Sequence, residues 1–189
     1  MESPRPKDLV EELLALGYSK QQVFDQVTAA QPEMKPGRVA DALRNRATLM
    51  AKKRYMNAHR VLLALILVNA VLRLWRTVDA RMLGEAHAFQ FLGLIPFATL
   101  FATYGIYRWQ GEHFQWVGWL NVLGAIGVLG RLGTLARHGR WDTPAAMDML
   151  SLIIGILCLY LANRVFAQPR KVKDPLGGPV RYVFPEVGL

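Results

Sequence analysis

The chain lacks most of what marks a soluble enzyme. It has one cysteine in 189 residues, so no internal disulfide can form, and the apolar surroundings of Cys158 read as a buried, inert thiol. Its four histidines, His59, His87, His113 and His138, are scattered, and no pair has metal-ligand spacing. A haem held between His87 and His138 is conceivable but disfavoured, and no metal or other cofactor is expected. No serine or cysteine nucleophile has a recognisable base partner, and Glu112-His113 reads as a solvated turn rather than an acid–base pair. The segment Met1–Leu14 has neither the short apolar core nor the small-residue cleavage site of a secretory signal. The first apolar block is therefore expected to act as an uncleaved signal-anchor.

Negative charge is missing from Ala42 to Arg60, where six basic residues stand with no acidic one: Arg44, Arg46, Lys52, Lys53, Arg54 and Arg60. Any Asp, Glu, Lys or Arg is missing from Ala86 to Tyr107. These gaps show how the composition is laid out. The chain is 52% hydrophobic with mean hydropathy +0.17, formal charge +9 and pI near 10.1. A soluble domain would space its apolar residues at period two or 3.6. Here they come in blocks with the charges at the block edges, which favours a membrane protein with charged flanks over a basic nucleic-acid binder.

Residues 58–167 hold four such blocks, at about 61–78, 86–107, 114–135 and 147–167. A spanning helix needs about 20 mainly apolar residues. The second and third blocks meet that directly; the first and fourth meet it if Arg73, Arg76, Asp148 and Arg164 reach toward the interfaces. Trp75, Trp109, Trp116, Trp141 and Tyr107 lie at block edges, where an interfacial aromatic belt would stand. The expected fold is thus all-α: a four-span transmembrane helical bundle behind a small N-terminal cytoplasmic three-helix domain over 1–57.

In that domain, Pro6 to Leu16 reads as a helix stopped by Gly17, and Ser19 with Gln22 forms a capping box opening a second helix through about Ala30. Pro32, Pro36 and Gly37 break the chain before a third, polybasic helix from Arg38, with Val39, Ala42, Leu43, Leu49 and Met50 on its apolar side. The stretch Leu16-Gly17-Tyr18-Ser19-Lys20-Gln21-Gln22-Val23 resembles the turn of a helix-turn-helix and the first turn of ubiquitin-associated-like three-helix domains, with Val39 to Leu43 as the third helix. It covers about one fifth of the chain, and a helix stop followed by a capping box explains the same letters, so no function is carried across. Residues 168–189 read as a polar tail. Val180, Tyr182 and Phe184 alternate with Arg181 and Val183 as a strand would, but disorder is the favoured expectation.

Lys52, Lys53, Arg54 and Arg60 before the first span, and Arg164, Arg170, Lys171 and Lys173 after the last, put both termini in the cytoplasm; Arg76, Arg81, Arg137 and Arg140 oppose this. The setting expected is a cell membrane, read as a bacterial inner membrane, with the four basic residues before the first span meeting anionic headgroups. Arg73-Leu74 followed by Tyr104-x-x-x-Arg108 recurs as Arg131-Leu132 followed by Tyr160-x-x-x-Arg164, a weak sign of two duplicated hairpins.

Ionisable groups at membrane depth face protein or a water-filled cavity, because lipid cannot solvate them. Asn69, Arg73 and Arg76 share one helical face, as do Asn121, Gly124, Val128 and Arg131, and Asp148, Ser151, Gly155 and Cys158. Arg73, His87, Gln90, Arg131, Asp148 and Ser151 are the candidates for a polar vestibule, set against simple snorkelling or structural pairing of the same charges. Gly124, Gly127, Gly130 and Gly133 form a row at every third residue, suited to close packing with a neighbouring helix in the monomer or in a homo-oligomer. Two functions fit: an oligomeric channel-like or signal-coupled membrane module whose N-terminal domain binds a partner, and an accessory subunit of a larger membrane complex. A small solute carrier or membrane-embedded enzyme ranks third.

Overall fold

A computed structural model describes residues 6–82, 95–125, 143–166, 168–172 and 181–185. The protein is mostly helical. Its helices are α1 (Pro6–Ala15), α2 (Lys20–Ala30), α3 (Pro36–Arg44), α4 (Leu49–Met82), α5 (Ile95–Tyr107), α6 (Gly111–Gly124) and α7 (Thr143–Val165), followed by strands β1 (Arg170–Val172) and β2 (Arg181–Val183). The chain divides into two compact units. One contains Met1–Met56, Trp109–Glu112 and Leu161–Leu189; the other contains Asn57–Arg108 and His113–Tyr160.

The first unit is organised by local stop and start signals. Gly17, at φ 96°, ends α1: its N–H donates to Leu14 O and the Tyr18 N–H to Leu13 O, the paired bonds of a left-handed glycine C-cap. Ser19 then caps α2, its Oγ accepting from Gln22 N while Gln22 Oε1 accepts from Ser19 N. The three helices enclose Val10, Leu14, Val23, Phe24, Val27, Val39, Ala40 and Leu43.

Two features depart from the sequence expectations. The third helix does not run on to Met50. It stops at Arg44, and Leu49 and Met50 are exposed on the first turn of α4, which Thr48 caps through its Oγ and Ala51 N. Asn45 is the reason: its carbonyl accepts from Gly111 N and its side chain donates to Glu112 at 2.7 Å, while Arg46 bridges to Gln110 and pairs with Glu11 at 2.6 Å. Lys52, Lys53 and Arg54 therefore sit on the same unbroken helix as the first apolar block.

The C-terminal segment is not a plain polar tail either. Arg170–Val172 and Arg181–Val183 pair as an antiparallel hairpin, and Phe184 enters the α1–α3 core. Phe184 and Tyr182 both lie against Phe24, at ring separations of 5.8 and 5.9 Å, and the Phe184 N–H donates to Gln21 Oε1. A core of so few residues is marginal, and an added aromatic is a large share of it.

In the second unit, the buried face of α4 is His59, Leu62, Ile66 and Asn69, with Arg73 partly buried, a helical stripe at steps of three and four. On α7 the corresponding face is Met147, Ser151, Ile154 and Cys158. The helices pack through glycine. A Cβ on Gly155 would stand 3.0 Å from Gly118 O and from Val122 N, and one on Gly118 would meet Leu159 at 2.8 Å. Backbone cannot yield as a flexible side chain does, so the contact needs Gly155, whereas Gly118 faces the side chains of Leu159 and Cys158.

Two expected outcomes follow from this packing. Phe184→Ala should cost about 3–5 kcal/mol, the usual range for truncating a buried Phe, in urea unfolding of the detergent-solubilised protein followed by circular dichroism; a midpoint within error of wild type would show that Phe184 is not part of the core. Gly155→Val should collapse the α6–α7 contact and lower the thermal midpoint by several degrees. Gly124→Ala should be tolerated, since nothing lies within 4 Å of a Cβ there; equal damage from the two substitutions would refute this contact.

Candidate functional site

The second unit leaves many large apolar side chains exposed, around an interior that is mostly apolar but holds a few polar groups. Its buried residues include His59, Asn69 and Ser151, while Val61, Leu67, Val68, Val71, Leu74, Trp75, Phe101, Trp116, Trp119, Leu123 and Ile156 are exposed. Of the buried polar residues, Asn69 and Ser151 lie on a cavity of about 290 Å³ lined by residues of four helices: Ile66, Asn69 and Arg73 of α4; Ala102, Thr103 and Ile106 of α5; Val117, Leu120, Asn121 and Gly124 of α6; and Ser151 and Ile154 of α7.

Ser151, 2% exposed, is the hub. Its Oγ accepts from Arg73 Nη2 at 3.1 Å and, more weakly, from Asn69 Nδ2 at 3.5 Å. A serine oxygen has two acceptor sites and one donor, so its proton is left to donate. Asn69 is 7% exposed and its Oδ1 has no partner, an unsatisfied buried acceptor. Leaving such a group unpaired costs about 1–3 kcal/mol, which makes it informative in a native interior. Asn121 donates Nδ2 to Val117 O at 2.8 Å, one turn back on its own helix.

These contacts bring together Arg73 and Ser151, two of the six vestibule candidates. Asp148, one turn before Ser151 on α7, is half-buried and is not among the residues lining the cavity. His87, Gln90 and Arg131 lie outside the described residues, as do Gly127, Gly130, Gly133 and the Arg131-Leu132 pair of the suggested repeat, whose Tyr160 and Arg164 stand on α7. Gly124 lines the cavity, with nothing within 4 Å of a Cβ built on it, and the close approach of α6 and α7 is made at Gly118 and Gly155. In the first half of the repeat, Arg108 Nη1 donates to Tyr104 OH at 3.0 Å, one helical turn apart.

The sequence reading placed Asn69 and Asn121 on the polar faces but took Arg73, His87, Gln90, Arg131, Asp148 and Ser151 as its site candidates instead. The signal was there: an amide in the middle of an apolar block costs enough to need a partner. Thr103 of α5 carried no such signal.

Compared with protein-family models, curated proteins and solved structures, the chain matches none. Among the described residues, no group of three or more His, Cys, Asp or Glu is placed to hold a metal ion.

The first unit carries one unusual ionisable group. Lys20 is 4% exposed, its Nζ reaching Arg44 O at 3.4 Å at the C-terminal end of α3. Burial pushes its pKa down to about 8 from 10.5. The folded chain therefore holds fewer protons than the unfolded chain between pH 8 and 10.5, so stability should rise with pH across that window and be flat below it. In urea unfolding at pH 7.5 and 10, wild type should gain on going to the higher pH and Lys20→Met should lose that gain; an unchanged slope in the variant would show that another group titrates.

Proposed function

We propose that this chain is a multi-pass α-helical membrane protein, a signal-coupled module that binds a small molecule within its helical bundle. The reading rests on the exposed apolar surface of the second unit. Two helices are long and apolar enough to cross a membrane, and only 22% of the apolar window of the first, within Leu49–Trp75, is buried; for the second, Ala145–Val165, the share is 44%. The central helix of a soluble protein would be mostly covered. Exposed apolar sides around an interior that holds a small polar cluster suit lipid as the surrounding solvent.

In this reading the four apolar blocks all span. The 34 residues of α4 extend about 51 Å at 1.5 Å per residue, well beyond a hydrocarbon core of about 30 Å. Its first turns, with Lys52 half-buried and Lys53, Arg54 and Arg60 exposed, would then stand in the headgroup layer on the cytoplasmic side. Both termini are cytoplasmic in this arrangement, the α1–α3 unit is the element that binds a partner, and exposed apolar sides such as that of α4 leave room for a second copy of the chain. The cavity favours a ligand-responsive module over a purely structural subunit, because a structural role gives no reason to keep an unsatisfied amide inside the bundle.

The decisive measurement is solubility with lipid dependence. The protein should stay with membranes through an alkaline carbonate wash, require detergent for extraction, and show tryptophan quenching by brominated phospholipid from exposed Trp75, Trp116 and Trp119. A monodisperse protein in detergent-free buffer would overturn the reading. Substituting Lys52, Lys53 and Arg54 by Gln should then weaken the pull of anionic over neutral vesicles by about 1 kcal/mol per charge at low salt, with less effect at high salt.

A further inference from the structure

The C-terminal hairpin has two unlike faces. Residues directly opposite across an antiparallel pair share a face, and side chains alternate along each strand. The register Arg170↔Val183, Lys171↔Tyr182 and Val172↔Arg181 therefore puts Lys171 and Tyr182 on one face and Arg170, Val172, Arg181 and Val183 on the other. Tyr182 lies against Phe24, and Phe184, two residues on, enters the α1–α3 core, so the first face is turned inward. The second is turned away from that core. All four of its residues are exposed, Val172 at 49% and Val183 at 45%.

On this outer face each valine stands opposite an arginine. Among the described residues neither Arg170 nor Arg181 has an ion-pair partner, and the six strand residues carry three cations and no carboxylate. The third cation, Lys171, lies over the Tyr182 ring at 5.9 Å on the inner face. Such an outer face matches a surface that offers phosphate oxygens above an apolar layer, which is the make-up of a bilayer interface. A nucleic acid backbone offers the phosphates without that layer. Chain length then decides the place. Helix α7 ends at Val165 and β1 begins at Arg170, so Arg170 lies within about 18 Å of the end of that helix. On the membrane reading given above, α7 ends at the cytoplasmic interface, which keeps the hairpin within reach of headgroups. Docking is then intramolecular, and a face of four residues suffices because the local lipid concentration is high.

We propose that the outer face of the hairpin is a docking site for an anionic phospholipid surface, with Arg170 and Arg181 on lipid phosphates and Val172 and Val183 set between the headgroups. The proposal rests on the membrane reading and adds a second lipid contact to the one assigned to Lys52, Lys53 and Arg54. Because the same hairpin places Phe184 in the α1–α3 core, a docked hairpin ties that core to the lipid surface.

The test is fluorescence of the full-length protein in liposomes, with a nitrobenzoxadiazole label on Val172→Cys, Val183→Cys or Lys171→Cys. Wild type, whose one cysteine, Cys158, is fully buried, is the labelling blank. In vesicles containing phosphatidylglycerol, the labels at 172 and 183 should shift to the blue and be quenched by a headgroup-nitroxide lipid. The label at 171 should respond less, and pure phosphatidylcholine should give neither effect. Arg170→Gln together with Arg181→Gln should lower the docked-to-free ratio by about thirtyfold, the combined effect of two basic residues at an anionic surface. Should that variant unfold at a lower temperature than wild type, high salt on the unsubstituted arginines reads the same loss. Water-like emission at 172 and 183 in anionic vesicles overturns the proposal. So does shielding that is equal in neutral lipid or detergent, the mark of a second copy or another protein on this face, and so does shielding gained only on adding RNA. A response at 171 equal to those at 172 and 183 overturns the assigned orientation. The membrane reading survives all of these while extraction still requires detergent, and falls only if the protein needs neither lipid nor detergent.

Discussion

One constraint orders the second unit: the outward surface of its helices is apolar, so burying apolar area cannot by itself bring them together. In water, hydrophobic burial would drive such helices to associate; in the lipid setting proposed here that force is absent between them. What remains is close backbone approach and hydrogen bonding across the bundle. Gly118 and Gly155 supply the first, and the Asn69–Ser151–Arg73 cluster supplies the second. Each polar residue inside such a bundle is expensive, so its partners define the internal geometry.

The same constraint explains how much could be read from the letters. Helical content and the apolar blocks were plain, because block length and edge charges are one-dimensional signals. The buried stripe of α4 was not visible in the apolar residues, since both sides of that helix are greasy and differ little in hydrophobicity. Only Asn69 and Arg73 marked its inner side. Gly155 stood on the small-residue face of the fourth block, yet the row from Gly124 to Gly133 drew the packing assignment, because regular spacing is easier to notice than a single pair that meets across two helices. Which glycine touches a neighbour depends on helix rotation, and rotation is a tertiary property.

In the first unit the turn chemistry was legible residue by residue. Gly17 and the Ser19–Gln22 box act where they stand in sequence and need no distant partner. The end of α3 and the hairpin were obscured for the opposite reason. Asn45 is drawn out of helix by Gly111 and Glu112, far along the chain, and Phe184 is ordered by Phe24 and Gln21. Local propensity cannot anticipate partners that lie dozens of residues away.

The placement of Phe184 has a consequence for biosynthesis. It is made about 140 residues after Leu43, the last residue of the core it completes. At ~5–20 residues per second, roughly 7–30 s pass between the two. Throughout that interval the nascent α1–α3 helices are on offer with an aromatic slot unfilled. Chaperone binding to Val23 and Phe24, or their burial by another chain, would compete most strongly in this window. Final closure of the N-terminal unit is thus a late event, governed by when the ribosome delivers Phe184.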